Sequence, residues 1–103
     1  MKVYKVKSVG DFMERVRQRD MKLAIIICQA ILANLDTTKR FVYVVSVEME
    51  EEGEFYDLSC PSDDFIVTLE KNLKILIENE LYELCQEVVD AIKYLKQKKK
   101  TND

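Results

Sequence analysis

The chain has 103 residues, 48% apolar and 34% charged, with a formal net charge of −3. This length holds one small domain, and this balance excludes a disordered chain. Two glycines and no histidine leave no room for a phosphate-cradling loop and remove the commonest general base and metal ligand.

The first predicted element is a short strand over residues 2–7. Val3, Tyr4 and Val6 are interleaved with lysines there, a pattern suited to a sheet edge. Ser8 and Asp11 offer caps to a helix beginning before Phe12, Met13 and Val16. Asp20 either caps a second stretch or sits within one helix. Residues 23–35 are the most apolar run. Leu23, Ile27, Ala30 or Ile31, and Leu35 fit one helix face, which Ala24, Cys28 and Leu32 widen.

Asp36, Thr37 and Thr38 form a turn. Phe41, Tyr43, Val45, Val47 and Met49 then alternate with Val42, Val44, Ser46 and Glu48. This predicts a strand buried on both sides at its start and polar on one side toward its end. Residues 50–54 make a hairpin tip at Gly53, and residues 55–60 return as a second strand. Pro61 ends that strand, with Ser62 as N-cap of the next helix and Asp63 and Asp64 in its first turn. Phe65, Leu69, Leu73, Leu76 and Ile77 form a helical stripe. Leu81, Cys85, Val88, Ile92 and Leu95 form another after Asn79 and Glu80, so the two helices are antiparallel. The helical hairpin covers residues 63–97, followed by a frayed basic tail.

Charge is segregated along the chain. Residues 1–22 carry seven basic and three acidic side chains, residues 46–64 eight acidic and no basic ones, and residues 93–103 five lysines. Basic ends suit phosphates or the acidic middle of a second copy. Arg15, Arg19, Lys22, Lys98, Lys99 and Lys100 are the candidate nucleic-acid contacts. Cys28, Cys60 and Cys85 are odd in number and lack C-x-x-C spacing. They read as buried free thiols of a cytoplasmic protein. The acidic residues near the hairpin tip lack calcium-loop spacing, and Ser46 and Ser59 lack a histidine partner. No catalytic residue, metal or cofactor is expected, and no run reaches the about 20 apolar residues that span a membrane.

The sequence of residues 69–97, LEKNLKILIENELYELCQEVVDAIKYLKQ, resembles the UVR motif, the helical hairpin of excision-repair subunits and of some protease adaptors. Leu69, Leu73, Ile77, the turn at residues 78–80, Tyr82, Glu83, Glu87, Asp90, Ile92 and Leu95 carry the resemblance. It implies association by packing against a second copy. Cys85 and Gln86 stand where the family usually has two alanines, and Val89 where it often has arginine.

These readings combine into an α+β single domain of order β-α-β-β-α-α. A small antiparallel sheet is covered by the apolar helix and the C-terminal hairpin. The apolar helix is richer than one small sheet can cover, so self-association follows. The expected function is a non-enzymatic interaction or adaptor protein, a homo-oligomer and most simply a dimer, with room for another protein partner. Its expected interface residues are Ile26, Tyr82, Gln86 and Val89. The alternative is a small nucleic-acid-associated regulator of phage or mobile-element type.

Overall fold

A computed structural model describes residues 1–101, with side chains through Lys99. The elements run β1 (Val3–Val6), α1 (Val9–Arg17), α2 (Met21–Leu32), β2 (Phe41–Met49), β3 (Glu54–Pro61), α3 (Phe65–Glu78) and α4 (Tyr82–Thr101). The α+β class is as expected. Two helices, not one, lie between β1 and β2. Ser8 caps α1 by accepting from the Asp11 N–H at 3.2 Å, and Asp20 caps α2 by accepting from the Leu23 N–H at 2.9 Å. Between them Arg19 adopts a left-handed φ of 59°, which ends α1 and turns the chain.

The sheet has strand order β1-β2-β3. It is mixed, not antiparallel: β1 runs parallel to β2, and β3 antiparallel to it. The reason is connectivity. A strand that reaches its neighbour through a helical crossover arrives parallel, whereas the tight turn at Gly53 (φ 66°) returns β3 antiparallel. β1 is an edge strand, as its lysines suggest.

Among the described residues the helices leave one sheet face uncovered, and the molecule measures only 18 Å along its shortest axis. α2 is the central helix. Leu23, Ala24, Ile26, Cys28 and Ile31 are buried between β2 on one side and α3 and α4 on the other. This is how so apolar a helix is satisfied within one chain: three neighbours share it. Full burial of a side chain such as Ile31 contributes about 1.5–3 kcal/mol.

The C-terminal hairpin forms, with one phase correction. Phe65, Leu69 and Leu76 are the buried residues of α3, while Leu73 is half-buried and Ile77 is 51% exposed. Ile77 lies about 100° around the helix from Leu76, past the edge of the buried stripe. On α4, Cys85, Val88 and Ile92 are buried as expected, and Ala91 joins them. Ser62 does not cap α3. It opens a short 3-10 turn (Ser62–Asp64), and its hydroxyl donates to the Arg40 carbonyl at 3.1 Å. The basic tail is not frayed at Lys96. α4 continues to Thr101, because lysine is a good helix former and Lys98 reaches the Asp36 carboxylate at 3.3 Å. Residues 102 and 103 of that tail lie outside the described residues. No helix among the described residues is long and apolar enough to cross a membrane.

Candidate interaction surface

The strongest candidate site is the sheet face that no helix among the described residues covers. Its composition follows from one irregularity in β2. Strict alternation would place Phe41, Tyr43, Val45, Val47 and Met49 on one side. The pairing instead runs Tyr43 with Ser59 and then Val45 with Leu58, so Val44 is an extra residue in β2. Val44 and Val45 both turn inward. Before the bulge, Val42 and Val44 face the core while Phe41 and Tyr43 face out. After it, Val45, Val47 and Met49 face the core while Ser46 and Glu48 turn to the opposite face, where Ser46 is only 7% exposed and Glu48 half-buried. The strand is therefore not buried on both sides at its start. Phe41 is 46% exposed and Tyr43 54%.

Register sets the layout of the open face. Phe41 lies beside Pro61, and Tyr43 beside Ser59. Ser46 sits between Val3 and Asp57, and Glu48 between Lys5 and Phe55. Phe41 and Tyr43 meet edge to face, with ring centroids 5.5 Å apart at 86°. Phe55 is 58% exposed and Val3 45%. Four large apolar side chains thus stand on this face, Phe41, Tyr43 and Val3 in successive rows and Phe55 one row further beside Glu48, with Lys5 on the β1 side and Asp57 on the β3 side. Scattered apolar residues are normal on a surface, but grouping on one flat face marks an interaction site.

The expected interface residues divide. Tyr82, Gln86 and Val89 follow i, i+4, i+7 spacing and share one face of α4. Tyr82 is 65% exposed, Gln86 donates to Asp90 at 3.0 Å, and Val89 is half-buried. Ile26 belongs elsewhere. It is 5% exposed and packs in the core from α2, so it offers no surface to a partner.

The basic residues are also divided. Arg15 pairs with Asp11 at 3.4 Å and lies over the Tyr4 ring, 5.6 Å from its centroid. Arg19 pairs with Glu78. Lys22 is in the first turn of α2, whereas Lys98 binds Asp36 just beyond the other end of that helix. α2 is about 18 Å long by helical rise, so the two groups do not merge into one patch. Lys99 is exposed beside Lys98, and the side chain of Lys100 lies outside those described.

Electrostatic tuning is modest and structural. Burial, with a smaller contribution from nearby Cys85, pushes the Cys28 thiol up to about 12, away from nucleophilic use near neutrality. All three cysteines are free and buried. A hydrogen bond from Tyr94, then one from Lys98, holds Asp36 below the usual carboxylate range. Among the described residues, no group of three or more carboxylates, thiols or imidazoles is placed to hold a metal ion.

The sequence signal for the open face was the doublet Val44-Val45. Two consecutive β-branched apolar residues, followed by the polar alternation of Ser46 and Glu48, shift the period by one residue. No family model, curated protein or solved structure matches the chain.

Proposed function

We propose that this protein is a non-enzymatic interaction module that self-associates by stacking its open sheet face on that of a second copy. The observation that carries the reading is the placement of exposed Val3, Phe41, Tyr43 and Phe55 on the sheet face that, among the described residues, carries no helix. A second copy suits that face by charge. A two-fold axis parallel to the strands lays the β1 column, with Lys5, over the partner's β3 column, with Asp57. Tyr43 then meets its own counterpart near the axis, an isologous arrangement. The same axis brings Glu48 to its own counterpart, and Lys5 of each sheet, in register beside Glu48, offsets that pair of carboxylates.

Strand spacings give the face a size of about 30 by 15 Å. The total area covered in a dimer is then about 900 Å², below the range of stable specific interfaces, so the dimer is weak and reversible. Its apolar centre makes it persist at about 0.5 M salt, because exposed ion pairs are worth only about 0–1 kcal/mol and are screened there.

Sedimentation equilibrium across a concentration series tests this. The expected result is a monomer–dimer equilibrium that Tyr43→Glu abolishes without changing the circular dichroism spectrum. A lone carboxylate in an apolar contact is costly to desolvate. A monomer at every concentration, or a dimer unaffected by Tyr43→Glu, would overturn the reading. Loss of the dimer in Tyr82→Glu instead would move the interface to the exposed face of α4.

A further inference from the structure

The open edge of β3 differs in chemistry from the face beside it. The strand is eight residues long, and among the described residues no other strand pairs with its outer side. The Ser62 N–H donates to the Arg40 carbonyl at 2.8 Å, which fixes which β3 residues point their backbone toward β2. By antiparallel alternation, Phe55, Asp57 and Ser59 direct their N–H and C=O groups the other way. All three residues are exposed. Pro61 has no N–H to offer, so the available pairing run stops at Ser59.

This edge is strongly acidic. Glu54 and Asp57 lie on β3, Glu50, Glu51 and Glu52 in the tip, and Asp63 and Asp64 just beyond Pro61. No basic residue occurs between positions 46 and 64. Charges on an edge strand normally discourage pairing, and these do so selectively. A second β3 brought alongside would place acid against acid. A basic strand meets the opposite condition. Its main chain satisfies the exposed groups of Phe55, Asp57 and Ser59, and its cations, all on the face of Asp57, neutralise that carboxylate and the nearby acidic tip.

We propose that the β3 edge receives an extended basic segment of another protein by strand addition. Alternation requires that the segment place basic and apolar residues at successive positions, so that one face of the enlarged sheet continues beside Phe55 and the other beside Tyr56. The dimer described above uses the sheet face, whereas this contact uses the main chain of the edge, so the N-methylated peptide tests the edge without altering the face that Asp57 shares with the dimer.

The test is fluorescence anisotropy with a labelled peptide of alternating lysine and valine. Three controls accompany it: the same peptide with glutamate for lysine, the same peptide N-methylated at every backbone nitrogen, and the protein variants Ser59→Pro and Asp57→Lys. The lysine peptide binds the unaltered protein. Binding falls by about tenfold or more with N-methylation, because several main-chain hydrogen bonds are lost, and by several-fold with Ser59→Pro, which removes one N–H. It also falls with Asp57→Lys, and the glutamate peptide does not bind. Equal binding of the N-methylated peptide would overturn the proposal, since charge alone would then suffice. Absence of binding to the lysine peptide at low salt would do the same. If Ser59→Pro fails to fold, the N-methylated peptide decides the matter on the unaltered protein. Growth of the protein alone into assemblies larger than dimers, blocked by Asp57→Lys, would assign the edge to the lysine-rich β1 of another copy and overturn the proposal too.

Discussion

The buried Tyr4 hydroxyl donates to Asp20 Oδ2 at 2.9 Å, and the same carboxylate oxygen accepts the Leu23 N–H at 2.9 Å. One side chain therefore caps α2 and ties it to β1, sixteen residues earlier. Tyr4 is 1% exposed, so its hydroxyl has little recourse to water once Asp20 is removed. Asp20→Ala is expected to cost about 2–3 kcal/mol, combining a lost cap with an unsatisfied hydroxyl. Tyr4→Phe is expected to cost about 0.5–1.5 kcal/mol. In the double variant the costs fall short of additive, because both single changes break the same bond. Urea denaturation of the four proteins measures this. Simple additivity would show that the two residues act independently.

The phase of α3 separates two neighbouring residues. Leu76 is fully buried and Ile77 is 51% exposed. Leu76→Ala is expected to cost about 2–5 kcal/mol, whereas Ile77→Ala stays within about 0.5 kcal/mol. Chemical denaturation at one temperature suffices. Similar costs at both positions would mean that the hairpin buries Ile77 against something further.

Periodicity made β2, β3, α3 and most of α4 legible, because each has a long apolar repeat with turn residues at its ends. Three features were hidden for different physical reasons. The break between α1 and α2 was one of two readings at Asp20, and what decides it, Arg19 in a left-handed conformation, is something a non-glycine residue does not advertise. The parallel pairing of β1 is a tertiary choice imposed by the crossover. The open aromatic face depends on the bulge at Val44, where one extra residue exchanges the inward and outward sets. Ile26 was misplaced for a related reason. The apolar excess of α2 is absorbed by α3 and α4, and composition alone does not reveal that third neighbour.

Cys28 links the core to pH. Its thiol is fully buried, and its pKa rises from an ordinary 9.0 to about 12, through burial first and Cys85 second. Between those values the unfolded chain loses a proton that the folded chain keeps. Stability is therefore complete below about pH 9 and falls as pH rises toward 12, by at most about 1.4 kcal/mol per pH unit for this group. Cys28→Ala should flatten that alkaline slope, read from urea midpoints at successive pH values. A slope unchanged by the substitution would assign the alkaline loss to other groups. At neutral pH all three cysteines should react with a thiol reagent only as fast as the protein opens.

Among the described residues, three hold positive φ: Arg19 (59°), Gly53 (66°) and Glu80 (57°). Only one of them is glycine, and the other two end helices in the same way. After α3, the Glu80 N–H donates to Ile77 O and the Leu81 N–H to Leu76 O, both at 3.0 Å. That pattern places a left-handed residue where glycine is usual. A non-glycine side chain there costs about 1–2 kcal/mol, and glycine returns about 0.5–1 kcal/mol of that through its freer unfolded chain. Glu80→Gly is thus expected to stabilise by about 0.5–1 kcal/mol. Arg19→Gly should give less, because it also removes the ion pair with Glu78. Gly53→Ala has open space around the added methyl group, yet it destabilises by about 1 kcal/mol through φ alone. Thermal melts of the three variants rank them as Glu80→Gly above Arg19→Gly above Gly53→Ala. A destabilised Glu80→Gly would show that the Glu80 side chain makes a contribution larger than its backbone strain.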